Sequence, residues 1–312
     1  MMLLSALAMN ACGKEETNEP EKDAPMTSSE YISFKVSASS PSESAVITWE
    51  AVSDRIGVFV SEAGTGSALN ANAYYDAYTS TASSRFFPLR DADKLKWEDG
   101  KKYDVALYYP FTIKMTDATS IPVSVAAEQT VPVPLTTMQL KEEQMFVSSV
   151  KSVERPENGI LEMSLSPVVS FVKINVSSNL PVACNSIKLT GEDGTALAFK
   201  HAKYDLFTSR LSEIDTVSSV IDIKPASPVY LRRKASEFIV NVNPQYAGKT
   251  LTIDCDLEGA DFEKVVVDVP EGGLKPGTCV SYNVGMTADP VLLRRPLKKK
   301  LELIDRENRV FE

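Results

Sequence analysis

The nine residues YDVALYYPF, at positions 103–111, decide the fold of this chain. Apolar and aromatic side chains recur at every second position from Tyr103 to Phe111, whereas Asp104 falls on the opposite face. A period of two is typical of a β-strand that packs one face against a core. The turn-forming pair Asp99-Gly100 comes shortly before it. The sequence therefore predicts a strand that begins near residue 103.

The same alternation recurs on both sides of this strand. Further strands are predicted at residues 32–36, 46–49, 56–60, 121–125, 161–165, 168–176, 187–190, 238–242, 251–257, 265–269 and 280–286. Residues 64–72 are predicted to be a long loop, and residues 140–150 a short helix or strand. Short strands separated by Gly, Pro, Asn and Asp indicate an all-β protein built from β-sandwiches. Two halves of similar content predict two tandem domains, residues 30–156 and 157–289, divided at a turn over residues 155–159.

The first eleven residues resemble the signal peptide of a bacterial lipoprotein. Their apolar run, residues 3–9, is much shorter than the roughly 20 residues of a membrane-spanning helix, but it suits a secretory signal. Met9-Asn10-Ala11-Cys12 resembles the lipobox at which such proteins are cut and acylated. The resemblance implies that residues 1–11 are removed and that Cys12 carries the lipid, such as palmitate. The alternative is an ordinary, poorly packed N-terminus.

Lys14, Glu15 and Glu16 directly follow the lipobox and resemble the signal that sends Bacteroidetes lipoproteins to the outer face of the outer membrane. This resemblance implies a surface-exposed outer-membrane lipoprotein. Residues 12–29 are rich in Glu, Lys, Pro, Ser, Thr and Asn. Such a segment buries too little apolar surface to offset the entropy lost on ordering. It is predicted to be a disordered tether.

Composition restricts the class of protein. The chain of 312 residues has room for about two domains, and its 43% hydrophobic and 24% charged residues are ordinary for a globular protein. A formal net charge of −9 argues against a nucleic-acid partner, which requires a basic face. With Cys12 reserved for lipid, Cys184, Cys255 and Cys279 remain, without any Cys-x-x-Cys pair. They are expected to be buried strand thiols, with a bridge between Cys255 and Cys279 as the alternative.

Motifs for catalysis are missing from the sequence. His201, the only histidine, lies in a polar stretch where a surface side chain is expected. There is no Gly-x-Ser-x-Gly turn and no Gly-x-x-x-x-Gly-Lys phosphate loop. Catalytic carboxylate pairs are assembled in three dimensions, so their spacing along the sequence does not identify them. We therefore interpret two acidic pairs as solvated surface groups: Glu142-Glu143, and Asp254 with Asp256. The sequence predicts no enzyme, no cofactor and no metal site.

A series of motifs resembles the fimbrillin-like proteins, the type V pilins of the Bacteroidetes. These motifs are ISF at 32–34, Trp49 ahead of SDRIGVF at 53–59, YDVALYYPF at 103–111, EQ at 128–129, VSFVKI at 169–174 and GLKPGTCVSY at 273–282. The resemblance implies two transthyretin-like β-sandwiches. It also implies a stalk, tip, anchor or accessory subunit of surface fimbriae that assembles by strand donation and supports adhesion. Its partners would be other fimbrial subunits, the outer membrane through the lipid, and ligands on host or bacterial surfaces.

The resemblance also implies that the first strand, with Ile32, Phe34 and Val36 in a groove, is displaced after cleavage by an arginine-specific protease. The first arginine of this chain is Arg55, well beyond that strand. A subunit that keeps its lipid, such as an anchor, is therefore favoured. A cut near Lys35 by another protease is the alternative.

The last segment, residues 290–312, is predicted to be a charged tail, with seven basic and four acidic side chains. A solvated tail, a short amphipathic helix and a donated strand are the alternatives for it. A surface glycan-binding lipoprotein is the alternative function. It would stack sugars on exposed aromatic rings, for which the candidates are Tyr74, Tyr75, Tyr78 and Trp97, the last expected at an exposed loop tip.

Overall fold

The computed structural model describes residues 30–42, 45–65, 68–192, 194–258 and 264–287. The predicted signal peptide, the tether, Cys12, the export signal at 14–16 and the charged tail lie outside the described residues. No helix among the described residues is long and apolar enough to cross a membrane. Strands dominate the described residues, which confirms the all-β prediction.

Nineteen strands and one α-helix form among the described residues. In chain order they are β1 (Ser33–Ala38), β2 (Arg55–Glu62), β3 (Ala68–Ala77), β4 (Ser83–Pro88), β5 (Tyr103–Tyr109), β6 (Ile121–Val125), β7 (Glu128–Val131), α1 (Thr137–Glu143), β8 (Phe146–Val153), β9 (Ile160–Pro167), β10 (Ser170–Ser178), β11 (Val182–Gly191), β12 (Ala198–Asp205), β13 (Arg210–Ser218), β14 (Val220–Pro225), β15 (Val229–Leu231), β16 (Ser236–Val242), β17 (Thr250–Leu257), β18 (Val265–Asp268) and β19 (Cys279–Met286).

Seven strands form the first sheet, which closes on itself in the order β1-β4-β3-β2-β5-β8-β9. Strand β5 lies inside this sheet between β2 and β8, so both of its edges are paired, and six of its seven residues are buried. Tyr108 on its outer face lies across Gly57 of β2, where a Cβ atom would come within 1.9 Å of the Tyr108 ring. The missing side chain at Gly57 thus makes room for a large ring next to a central strand.

The other strands form three smaller sheets. Their orders are β16-β10-β19, then β18-β17-β11-β14-β7 with β15 beside β11, and β13-β12-β6. Inward-facing aliphatic side chains of these sheets join the aromatic side chains of the first sheet in one continuous core. Burial of this core is the main stabilising contribution to the fold.

Strand pairing interleaves the two halves of the chain. Strand β9, which follows the predicted boundary at residue 157, belongs to the first sheet. Strands β6 and β7, which precede that boundary, pair with β12 and β14. Each half of the chain therefore contributes strands to the sheets of the other.

Three local predictions need correction or completion. Residues 46–49 do not form a strand, although Ile47 and Trp49 are buried. The predicted loop at 64–72 is wrong at its end, because β3 begins at Ala68. The ambiguous stretch 140–150 contains the end of α1 followed by the start of β8.

Candidate functional site

Strand β1 closes the first sheet and has a neighbour on each side. It pairs with β4 in an antiparallel register in which Phe34 faces Phe86. It pairs with β9 in a parallel register in which Phe34 faces Leu161. Although β1 is the first strand of the described residues, it is paired along both edges.

The large apolar side chains of β1, and of Ile32 just before it, face the core. Ile32, Phe34 and Val36 are fully buried, whereas Lys35 is exposed and forms an ion pair with Glu162, with 3.1 Å between Nζ and Oε1. Burial of each large apolar side chain stabilises the folded state by roughly 1.5–3 kcal/mol. The three residues that the resemblance assigns to a displaceable strand therefore hold that strand firmly in this state.

Aromatic residues and backbone groups fix the surroundings of β1. The Phe34 ring meets Tyr75 edge-on at 5.2 Å between ring centroids, and burial, with the nearby charge of Asp93 second, raises the pKa of Tyr75. The indole N–H of Trp49 donates to the Val36 carbonyl at 2.8 Å. The sequence analysis did not predict this contact of Trp49 with β1. The position of Trp49 ahead of the motif SDRIGVF at 53–59 was the one indication that the residue matters.

The basic residues that a trypsin-like or arginine-specific protease would need lie in paired strands. Arg55 opens β2, and its Nε atom lies 2.7 Å from the Asp76 carboxylate. Lys35 lies within β1, with backbone partners on both neighbouring strands. The segment between β1 and β2 has no Lys or Arg. Cleavage by such a protease would therefore require local unfolding.

The prediction that Trp97 is exposed at a loop tip is wrong. Trp97 is only 5% exposed, and its indole N–H donates to the carbonyl of Gly159 at 3.1 Å. Tyr75 is fully buried and Tyr74 is partly buried, whereas Tyr78 is 43% exposed. The four aromatic residues proposed to stack on sugars therefore do not form an exposed aromatic platform.

A buried polar cluster, also missed by the sequence analysis, surrounds Asp54. Its carboxylate accepts hydrogen bonds from the Tyr109 hydroxyl at 2.8 Å, from Lys141 Nζ at 2.5 Å and from the Glu50 backbone N–H at 2.6 Å. Desolvation and the Asp54 carboxylate raise the pKa of Tyr109. Since Asp54 precedes β2 and Lys141 lies on α1, the cluster attaches the helix to the first sheet. Both of its carboxylate oxygens have donors, which favours a structural role.

Gln129, which belongs to the EQ motif, joins two sheets through its side chain. Its Nε2 atom donates to the carbonyls of Asn241 and Ala126 at 2.7 and 2.9 Å, and its Oε1 atom accepts from the Asn241 backbone N–H at 2.9 Å. The amide therefore pairs with one residue of β16 as a neighbouring strand would. These hydrogen bonds connect the edge of β7 to the edge of β16.

The remaining candidate residues are dispersed. His201 is exposed on β12, opposite Asp215 of β13. Cys184 and Cys255 are buried thiols, and Cys279 is a partly buried thiol. Within the described ranges, no group of three or more His, Cys, Asp or Glu side chains is placed to hold a metal ion.

A family model and two solved structures match this chain. The model of the fimbrillin-like family matches residues 42–297, and none of the curated proteins matches the chain. A candidate cell adhesion protein from Bacteroides uniformis is 14% identical with a TM-score of 0.54, over 82% of this chain and 93% of that one. One from Bacteroides ovatus is 13% identical with a TM-score of 0.53, over 82% and 92%. At these identities the likeness to the two structures shows the fold alone.

Proposed function

Because the chain belongs to the fimbrillin-like family, we propose that it is a non-enzymatic structural subunit of cell-surface fimbriae that associates with other fimbrial subunits. The names of two proteins of similar fold, which describe candidate cell adhesion proteins, support this role. The proposal has three finer parts: strand exchange at β1, a lipid on Cys12, and adhesion to ligands on host or bacterial surfaces.

The position of β1 is the observation that carries strand exchange. If β1 leaves, β4 and β9 each lose a neighbour, and the places of Ile32, Phe34 and Val36 become an apolar groove between two free edges. Free sheet edges accept an added strand from another chain. A strand of a neighbouring subunit would fill the groove. The tail at 290–312 is the donor candidate within this sequence, although its charge makes it a poor one.

The pairing of Lys35 and Arg55 in strands protects both residues from proteases and supports a subunit that keeps β1. Both residues have paired backbones in the folded chain, so basic-residue proteases meet no accessible site at the end of β1. A subunit with β1 in place has no groove for an incoming strand. It would therefore occupy one end of a fibre, which is the position of an anchor.

Lipidation at Cys12, with Lys14, Glu15 and Glu16 as the export signal, would attach that end to the outer membrane. Labelling cells with a radioactive or clickable fatty acid tests this part. The full chain should carry label and the Cys12→Ser variant should carry none. Equal labelling of both would remove the anchor from the proposal. Extracellular protease should degrade the protein on intact cells if it is displayed at the surface.

Size-exclusion chromatography with light scattering tests strand exchange. Three forms of the protein are compared: residues 12–312, residues 45–312, and residues 45–290. We expect the first to be monomeric and the second to associate into oligomers. The third should be monomeric if the tail is the donor, and it should still associate if another strand is.

A synthetic peptide of residues 30–42 keeps this test decisive if the form without β1 folds poorly. Added to residues 45–312, it should bind, prevent association and restore the circular dichroism spectrum of the full chain. The control peptide has Phe34 and Val36 replaced by Ser and should not bind. A folded form without β1 that stays monomeric and ignores the peptide would refute strand exchange.

A further inference from the structure

Lys141 and Asp54 form the most buried ion pair between a lysine and a carboxylate among the described residues. Their side chains are 12% and 9% exposed, and Nζ lies 2.5 Å from Oδ2. In each of the other lysine ion pairs of these residues, both side chains are at least 22% exposed. Water screens those pairs, whereas it has little access to the pair of Lys141 and Asp54.

The lysine nitrogen is close enough to the carboxyl carbon to react with it. The Cγ atom of Asp54 is one C–O bond, about 1.2 Å, from Oδ2. Because Nζ of Lys141 lies 2.5 Å from Oδ2, it is at most about 3.7 Å from Cγ. Reacting atoms in a productive geometry are about 3–3.5 Å apart. A small adjustment of either side chain therefore brings the amine to the carbon.

Two hydrogen-bond donors withdraw electron density from the Asp54 carboxyl group. The Tyr109 hydroxyl donates to Oδ1 at 2.8 Å, and the Glu50 backbone N–H donates to Oδ2 at 2.6 Å. Burial, and then the hydrogen bond to Asp54, raise the pKa of Tyr109, so its hydroxyl keeps the proton at neutral pH. This hydroxyl is placed to stabilise negative charge that develops on Oδ1, as an oxyanion-hole donor does.

The amine of Lys141 is held in place by a carbonyl and two rings. Its Nζ atom donates to the Thr48 carbonyl at 3.0 Å. It also lies 5.8 Å from the centre of the Trp49 ring and 5.7 Å from the centre of the Tyr109 ring. These groups restrict the entry of water, which is the reagent that would hydrolyse an amide. The surroundings therefore favour condensation of the amine with the carboxyl group.

We propose that Lys141 and Asp54 become joined by an amide bond, with the loss of one water molecule. A proton first passes from Nζ to Oδ2, which leaves an uncharged amine and an uncharged carboxyl group. Nζ then attacks Cγ, the Cγ–Oδ2 bond breaks, and Oδ2 leaves as water with two of the three ammonium protons. The third proton stays on the amide nitrogen. The opposite charges of the two side chains cancel, so no oxidant or other reactant is required.

The product fits the same surroundings. Its N–H keeps the Thr48 carbonyl as acceptor, and its oxygen, the former Oδ1, keeps the Tyr109 hydroxyl as donor. The reaction removes two charges from a largely buried site, where each carries a desolvation penalty. The bond would cross-link α1 to the segment before β2. Because it lies within one chain, it does not depend on association with other subunits.

Peptide mapping by mass spectrometry tests the proposal on the purified full chain, kept folded for several days and then denatured. Trypsin releases residues 36–55 and 115–141 separately from a chain without the bond. An amide at Lys141 blocks the cut after that residue. We therefore expect one linked species of residues 36–55 and 115–151, lighter than the two peptides together by one water. The two separate peptides without any linked species would overturn the proposal.

Two controls separate this bond from other losses of water. Lys141→Met keeps the stem without the amine, and it should abolish the linked species and restore the full intact mass. A loss of water that persists in this variant would come from elsewhere in the chain and would overturn the assignment. Lys94 and Asp91 are almost as close, with 2.6 Å between Nζ and Oδ1, but the Asp91 side chain is 93% exposed. They should stay unlinked, and an equal yield at this pair would overturn the role of burial.

Tyr109→Phe tests the hydroxyl that contacts the reacting carboxyl group. The variant keeps the ring and should form the bond at least about tenfold more slowly, since one donor to the developing oxyanion is lost. The linked fraction is measured at successive times after a pulse of isotope-labelled synthesis, and circular dichroism shows whether the fold is kept. Equal rates in the parent and in Tyr109→Phe would overturn the role of the hydroxyl. The peptide map of the parent decides the proposal even if a variant folds poorly.

Discussion

Replacement of Gln129 by Ala is the perturbation that most directly probes how the sheets are joined. The substitution removes three hydrogen bonds, with donor–acceptor distances of 2.7–2.9 Å, and leaves the backbone N–H and C=O of Asn241 without these partners. Each lost hydrogen bond lowers stability by roughly 0.5–1.5 kcal/mol. Since water can reach part of this site, we expect a loss of about 2–3 kcal/mol in the free energy of unfolding.

Urea denaturation monitored by circular dichroism measures the loss, which should shift the midpoint without changing the slope. Glu128→Ala is the matched control on the same strand, because the Glu128 side chain is exposed, and it should change stability by at most about 0.5 kcal/mol. Gln129→Glu keeps the shape but places a carboxylate against two carbonyl oxygens. It should therefore cost at least as much as Gln129→Ala.

Hydrogen exchange supplies the local readout for the same variant. The Asn241 amide should exchange faster in Gln129→Ala, whereas amides of the first sheet should keep their protection. The reasoning is refuted if Gln129→Ala changes stability by less than about 0.5 kcal/mol and leaves the Asn241 amide as protected as before. In that case the Gln129–Asn241 hydrogen bonds would form because the sheets are already packed together, and would not themselves hold the sheets together.

Three further predictions concern the core. Gly57→Ala should cost about 1–3 kcal/mol, because its Cβ would overlap the Tyr108 ring, and an unchanged melting temperature would contradict this. Burial raises the pKa of Cys184 to about 11, so little of its thiolate exists at pH 8. Labelling of Cys184 by Ellman's reagent should therefore be slow in the folded chain and accelerate as the pH rises towards that pKa. It should become fast in urea, which exposes the thiol. Asp54→Ala should cost about 3–5 kcal/mol, since it leaves the largely buried Lys141 ammonium with the Thr48 carbonyl but without its carboxylate, whereas Lys141→Met should cost less. Equal urea midpoints for these two variants would argue against the ion pair.

Some strands with a regular apolar face could be predicted from the sequence, whereas β3, β4 and β14 were missed although each buries apolar side chains. The alternation in β5 and β17 identifies both strands, since Val105, Leu107, Leu251 and Ile253 must all face a core. Strand β13 escaped prediction because it is largely exposed, and β12 escaped because a register shift between His201 and Lys203 interrupts the alternation of its buried residues, which include Phe199, Ala202 and Tyr204. Alternation of apolar and polar residues reflects a buried strand face, and an exposed strand has no such face to produce the pattern.

Contacts between distant residues explain the other errors. Trp97 follows a polar stretch and precedes Glu98-Asp99-Gly100, so its neighbours suggest an exposed tip, but a carbonyl 62 residues later accepts its indole N–H. Gln129 could be picked out as part of a motif. Its role became visible only when β16 was placed beside it. Local sequence cannot supply partners that only the fold brings together.

The two-sided pairing of β1 has a mechanical consequence. A pull on the chain just before β1, directed along the strand, would load its hydrogen bonds to β4 and β9 at the same time. These bonds would be strained in shear and would have to rupture together, whereas a pull across the sheet would open them one after another. If the chain is held at its N-terminal end, tension on the body passes along β1. Strand β1 would then bear the load of everything attached beyond it.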